Sequence, residues 1–273
     1  MYTPKHFEQT DQRTLWDFIE EHAFGTLLTV ANGEPLLSHL PFLPERDVGV
    51  LHCHVSRANP HWREIERSPQ VLAIFAGPHG YVSPTWYAER GGVPTWNYTV
   101  VHAHGSAQAV DDAERTRKHV EALAAKYERG RPAPWVPDYD TRRLSGIVGI
   151  DIRVTRLEGK FKLSQNRSDA DRARVVAALE ASGSVADAEL AHVELHGLAC
   201  DRRDGRTIRH VVVDGQNVLA VLACRRLRDG GHGCEQSCER KRDRAHLNPP
   251  SRSHKSSQVC GVAPRSTAPR QPS

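Results

Sequence analysis

No aromatic residue follows Phe161: the five Trp, six Tyr and six Phe of this 273-residue chain all fall between Tyr2 and that position. Aromatic side chains carry much of a core's burial energy, so the core belongs to the first two-thirds. Cysteine is nearly missing from that same part. Only Cys53 precedes residue 200, which excludes a disulfide framework there. No apolar run approaches the ~20 residues of a membrane span. Residues 1–18, MYTPKHFEQTDQRTLWDF, lack the apolar stretch of a secretory signal, so a cytoplasmic location is expected. Also missing are a Ser-His-Asp context, a phosphate loop, a dinucleotide glycine fingerprint and the paired helices of a helix-turn-helix.

The net charge of +4 invites a nucleic-acid reading, but its placement argues against one. Residues 197–273 hold 13 Arg and 2 Lys against 5 Asp and 2 Glu, a net of +8. The other 196 residues hold 22 basic and 26 acidic side chains, a net of −4. A DNA partner is therefore not supported by the charge of the body. The chain reads as a folded domain over 1–196 and an atypical basic tail over 197–273. Within the tail RTIRHVVVDGQNVLAVLA suits a hairpin, while GHGCEQSCERKRDRAHLNPPSRSHKSSQ has too little apolar content to fold.

Along the body, DQRTLWDFIEEH (11–22) predicts a helix capped by Asp11 or Thr10, with Leu15, Phe18 and Ile19 on one face. Gly25–Ala31 predicts a buried strand, Asn32-Gly33 a hairpin turn, and Glu34–Phe42 the paired strand. Val48–Val55 alternates, sending Leu51, Cys53 and Val55 one way and His52 and His54 the other. Asn59-Pro60 breaks the strand before a short helix, and Val71–Phe75 is a compact apolar strand. Residues 77–95 predict a long Gly/Pro-rich loop, Trp96–Val110 one long strand, and 112–129 a helix with acidic residues at its start. Ile147–Leu157 predicts the last strand, ended by Gly159, and 169–181 a short helix. Antiparallel hairpins with short helices between them point to a mainly β fold: a small barrel with peripheral helices.

Three polar constellations stand out. The first is HCHVSRANPHW, with His52, His54, Ser56, Arg57, Asn59 and His61, whose donors in a turn before a helix suit a phosphate. It suits a polar strand edge equally. The second, GPHGYVSPTWYAERGGVPTWNYTVVHAHG, sets Tyr81, Trp86, Tyr87, Trp96 and Tyr98 beside His79, Ser83, Thr95, Asn97, His102 and His104. Such a loop can stack a planar ligand and bond its edge, or pack over the barrel end. The third is GKFKLSQNR, with Lys160, Lys162, Ser164, Gln165, Asn166 and Arg167, which can close over an anion or form a solvated strand end. The pairs His52/His54 and His102/His104 each share a strand face, as metal or haem ligation would allow. No carboxylate or cysteine sits at a recognisable ligand spacing, so no metal is expected. His232, Cys234, Cys238 and His246 in the tail have a permitted zinc spacing without the context of a folded finger.

Taken together, MYTPKHF, LHCHVSRANPHW, AIFAGPHGYVSPTWY, VPTWNYTVVHAHG and LEGKFKLSQNR, followed by DRARVVAALE, resemble the PaiB-type FMN-binding negative transcriptional regulators over residues 1–195. The resemblance implies an FMN-binding split β-barrel of the pyridoxamine-phosphate-oxidase-like kind, a homodimer with FMN at its interface, and a role in negative transcriptional regulation or flavin-dependent sensing. It makes Ser56, Arg57 and Asn59 candidates for the phosphate or ribityl chain, and His54 a further cofactor-binding candidate. Trp96, Asn97 and Tyr98 become candidates for the ring edge or stacking, Tyr81 and Ser83 further cofactor-binding candidates, and Lys160, Lys162 and Gln165 candidates contributed by the partner. A flavin-dependent oxidoreductase acting on a small molecule and a haem-binding protein are the alternatives, with an enzymatic role the less favoured. Ala88-Glu89-Arg90 departs from the family, which often shows Pro and Lys there. Residues 197–273 fall outside the resemblance and suit a frameshifted or read-through extension better than a native basic tail.

Overall fold

The computed structural model describes residues 1–196 and two strands further on, Arg206–Asp214 and Asn217–Arg225; the rest of the tail, and with it the expectation of disorder there, lies outside the described residues. Chain contacts divide the protein between Arg203 and Asp204. In the first unit, β1 (Glu8–Gln9) precedes α1 (Gln12–Glu21). Asp11 caps α1, its carboxylate accepting from the Thr14 amide at 2.8 Å. β2 (Phe24–Ala31) and β3 (Glu34–Pro41) form the expected hairpin, with Asn32 and Gly33 both at positive φ (52° and 84°). Next come β4 (Leu43–Glu45), β5 (Val50–Ser56), α2 (His61–Arg67), β6 (Gln70–Val82) and β7 (Thr95–Val110). α3 (Ala113–Glu128), β8 (Ile147–Lys162), α4 (Asp169–Ala181) and α5 (Val185–His196) complete the unit.

The eight strands form one antiparallel sheet in the order β3-β2-β6-β7-β8-β5-β4, with β1 added to the edge of β8. It curls until β3 lies against β5, although no hydrogen-bonded ladder joins that pair. A barrel with one unpaired seam is a split barrel. Inside it Leu27, Phe42, Leu51, Cys53, Ala73, Phe75, Val101, Ile150 and Ile152 are all but sealed from solvent, and Phe42 meets Phe75 edge to face at 5.1 Å. α1 closes the barrel through Phe18, whose ring lies 5.2 Å from that of Phe161. Leu51, Cys53 and Val55 point inward as the alternation predicts, and His52 and His54 point outward.

Three expectations need correction. β6 does not stop at Phe75. It runs on through Gly77, Pro78 and Gly80, so that only residues 83–94 lie outside strands. One extra residue in β6 between the pairs Ala76↔Val100 and His79↔Tyr98 forms a β-bulge, which absorbs the glycine and proline that read as breakers. β8 likewise continues past Gly159 to Lys162, because β7 and β1 both offer ladder partners there. α5, with no counterpart in the sequence reading, buries Leu190, Ala191 and Glu194. In the second unit, β9 (Arg206–Asp214) and β10 (Asn217–Arg225) pair as an antiparallel hairpin, as RTIRHVVVDGQNVLAVLA suggests. No helix among the described residues is long and apolar enough to cross a membrane.

Candidate functional site

The start of β7 gathers most of the second and third constellations. Alternation turns Trp96 and Tyr98 outward and Asn97 inward. Tyr81 pairs with Trp96 across β6 and β7, their rings 6.4 Å apart, and Trp96 Nε1 donates to His79 Nδ1 at 3.3 Å. Tyr81 and Trp96 stand 47% and 50% exposed, which leaves their faces free to stack. Ser83 holds its own loop: its hydroxyl accepts from the Thr85 amide and caps a short 3-10 turn.

The two lysines differ. The ammonium of Lys162 spends all three donors on Thr95 Oγ1 (2.5 Å), the Trp96 carbonyl (2.6 Å) and Asn97 Oδ1 (3.2 Å). Burial, helped by Lys160 and Arg167, lowers its pKa against the pull of Glu194. Lys160 is buried between the rings of Tyr98 (5.3 Å) and Tyr2 (5.6 Å) and donates to the Tyr2 carbonyl at 3.1 Å. Gln165 folds back on its own loop, bonding the Phe161 carbonyl and the Leu163 amide. Beside these residues lies a cavity of about 40 Å³ lined by Tyr87, Thr95, Asn97, Lys162, Ser164, Asn166 and Arg167. The guanidinium of Arg167 stacks on Tyr87 at 4.3 Å and has no hydrogen-bond acceptor among the described residues.

Beneath that cavity sits a group the sequence reading missed. Asn97 Nδ2 donates to Ser164 Oγ at 2.8 Å and to Glu194 Oε1, and Ser164 adds a weaker bond to the same oxygen at 3.4 Å. Glu194 is 2% exposed, and its Oε2 has no partner among the described residues. Burial raises its pKa to about 7, against the lowering effect of Asn97, Ser164, Arg172 and Lys162. Thus α5 clasps the WNY and KLSQN motifs through one carboxyl.

The first constellation is elsewhere. Arg57 is a fork already holding Asp111 (2.5 and 3.0 Å) and the carbonyls of Ser145 (2.6 Å) and Ile147 (3.2 Å), four of its five donors. The pair is open to solvent, with Arg57 36% and Asp111 65% exposed. Ser56 accepts from the Ala58 amide, and Asn59 joins Ser38 Oγ to the His61 amide. His61 is a buried core histidine, its ring nitrogens on Thr29 and Ser38. His54 points away from the turn, its Nδ1 3.1 Å from His119 Nε2 on α3. Burial and the neighbouring His54 and His52 push His119 down to about 4, and its Nδ1 has no partner among the described residues. His52 goes the other way, raised by Asp151 at 2.7 Å and by Glu45.

These groups are held apart by β7 itself. Asn97 stands at its beginning and Val110, next to the partner of Arg57, at its end. Thirteen residue steps of β7 separate them, a strand contour of roughly 40 Å, so the two constellations stand at opposite ends of β7. Exposed apolar side chains stand on β2, β3, β6 and the start of β7: Phe24, Val30, Leu37, Tyr81 and Trp96 lie between 47% and 68% exposed.

A family model described as "Putative FMN-binding domain" matches residues 1–156. Protease synthase and sporulation protein PAI 2 of Bacillus subtilis is 37% identical over 187 residues, 66% of this chain and 89% of that protein. The chain belongs to this FMN-binding family. An uncharacterised protein of Aspergillus fumigatus is 30% identical over 241 residues, covering 67% of this chain and 92% of its own length. Among solved structures, the FAD and heme binding protein from Mycobacterium smegmatis is 17% identical with a TM-score of 0.49, covering 63% of this chain and 80% of that one. The flavocytochrome Anf3 from Azotobacter vinelandii is 14% identical with a TM-score of 0.48, covering 59% and 72%. For this FMN-binding family member the donor set fits its cofactor in kind. Exposed aromatic faces suit a planar ring, and the Ser56–Asn59 turn has the residue types that bind a phosphate, with Arg57 held here by Asp111, Ser145 and Ile147.

Proposed function

We propose that this protein is a cytoplasmic flavin-dependent regulator whose two copies hold FMN between them. The turn Ser56–Asn59 of one copy meets the phosphate, and Tyr81, Trp96 and Tyr98 of the other meet the ring, with Lys160 beside them. The observation that carries this reading is the placement of the two constellations at opposite ends of β7, with exposed apolar side chains on the neighbouring strands. Two-fold pairing of copies would lay the aromatic end of each over the turn of its mate. Bound flavin supplies redox chemistry, while these side chains bind, orient and shield it.

The regulatory half of the reading draws on the name of the Bacillus relative, which ties it to protease synthesis and sporulation. The acidic body offers no basic surface for base edges, so regulation runs through a partner protein or a metabolite. Direct binding to DNA by the body, weakened by salt, would contradict that route.

The test is flavin retained after incubation with FMN and desalting, read from the visible spectrum of the full chain. Arg57→Ala and Trp96→Ala are each expected to lose roughly tenfold or more in affinity, about 1.4 kcal/mol. Mixing the two variant chains is then expected to restore one whole site per mixed dimer. No recovery on mixing, with dimers formed, would place the flavin within one copy. Full retention by both variants would remove these residues from the site, and Arg167→Ala would become the next candidate. Reduction of the bound flavin by a nicotinamide cofactor would move the assignment towards an oxidoreductase.

A further inference from the structure

We propose that His102, His104 and Glu158 form a binding site for a divalent transition-metal ion, separate from the flavin contacts. The sequence shows the two histidines, one pleat apart, but no carboxylate near them. Sheet register supplies it. Glu158 stands directly opposite His102 in the β7–β8 ladder, more than fifty residues away in the chain. Residues facing each other across an antiparallel pair share a face, so all three side chains leave the sheet on the same side.

The distances suit one ion. The ligand atoms of the three side chains all lie within 4.8 Å of one another, and His104 Nε2 is 3.0 Å from Glu158 Oε2. Two ligands bound tetrahedrally at ~2.0–2.1 Å stand roughly 3.3 Å apart. The side chains are half-buried, His104 30% and Glu158 24% exposed, so an ion can enter without opening the fold. Next to His104 the ladder is bulged: His104 faces Arg156, and Gly105 faces Val154. Bulges re-aim side chains. The skipped Thr155 is anchored by its hydroxyl to the His104 carbonyl at 3.1 Å.

Two imidazoles and one carboxylate suit zinc and its neighbours rather than calcium or magnesium, which prefer oxygen alone. Three protein ligands leave a fourth position open, the arrangement of reactive rather than closed structural sites. Competing cations hold the carboxylate when no metal is bound. Arg156 takes Glu158 Oε1, and the Met1 amino group lies 2.9 Å from Oε2. An ion must displace the amino group and the His104 hydrogen bond, which sets the affinity below that of a dedicated structural zinc site.

The experiment titrates the full chain, stripped with chelator and without added flavin, with zinc by calorimetry and with cobalt(II) by visible absorption. One equivalent is expected in this part of the molecule, with tetrahedral cobalt bands. His102→Ala, His104→Ala and Glu158→Gln are each expected to weaken it roughly tenfold or more, while His52→Ala leaves it unchanged. Thermal melts of the variants show whether the fold survives. Glu158→Asp, which keeps the charge, is expected to retain part of the affinity. Binding that survives all three substitutions but vanishes with Cys234→Ser and Cys238→Ser would overturn the proposal in favour of the tail. No binding by the intact chain would overturn it outright. Because flavin is absent throughout, failure here leaves the FMN reading untouched.

Discussion

Glu194→Gln is expected to make the protein more stable at pH 8 by about 2 kcal/mol and to change little at pH 5. The carboxyl is buried at the back of the site with its Oε2 unpartnered among the described residues, and burial raises its pKa from 4.5 to about 7. The folded state therefore binds more protons than the unfolded chain between those two values. Below 4.5 the group is protonated in both states and its contribution is complete. Between 4.5 and about 7 the unfolded chain ionises while the folded group holds its proton, so that stability is lost progressively, and above 7 the loss is complete as the folded protein ionises a sealed carboxyl. The whole shift is worth about 3 kcal/mol by linkage; relaxation of α5 reduces it. Glutamine keeps the carbonyl that accepts from Asn97 and Ser164 and never ionises. Denaturant unfolding of both chains at pH 5 and pH 8 measures the difference. An equal gap at both values would show a carboxylate that stays hydrated and charged in the folded protein.

The same carboxyl connects stability to the site. Asn97 and Ser164, which it holds, also line the cavity beside Lys162 and Arg167. Loosening the clasp above neutral pH releases the WNY and KLSQN motifs together. Flavin affinity is thus expected to fall with pH in the intact chain more steeply than in the glutamine variant.

How much of this was legible in sequence differs by element. Alternation in VGVLHCHV placed Leu51, Cys53 and Val55 inside and both histidines outside. Asp11, Asn32-Gly33 and Asp112 gave their cap and turn positions because the chemistry that makes them is local. Non-local facts were hidden. α5 carries a carboxylate on its buried face, which contradicts the pattern by which helices are read. Glu158 meets His102 only through sheet register, and no spacing in the chain announces it. The motifs of the family were plain, and two of their members also hold their own loops. Gln165 ties down its own loop, and Ser83 caps a turn. A motif marks where chemistry is concentrated; which atoms face a ligand is settled by pleat and register.

Gly159 is the sharpest instance, and replacing it by alanine is expected to destabilise the protein by about 2–3 kcal/mol. In the sequence it resembles a strand terminator, but β8 passes straight through it. What it provides is proximity. A Cβ there would stand 2.4 Å from Leu15 Cδ2, 2.9 Å from the Gln9 carbonyl and 3.0 Å from Gln9 Cβ. Leu15 is fully buried on α1, and Gln9 is the residue of β1 that pairs with Gly159 itself. One contact is a backbone atom and the other belongs to a packed core, so neither yields by simply rotating away. The smaller unfolded-state entropy of alanine returns only ~0.4–1 kcal/mol. Leu15→Ala alone is expected to cost about 2–5 kcal/mol through the cavity it leaves. In the double variant the methyl added by Gly159→Ala occupies part of that cavity, so the two costs are expected to fall short of their sum. Denaturant unfolding of the four chains measures the coupling. A Gly159→Ala protein within about 0.5 kcal/mol of the parent, a surface-like effect, would mean that α1 and β1 shift freely away from β8. In that case the flanking Glu158 and Lys160, one in the proposed metal site and one beside the flavin ring, would not be held in register by this contact.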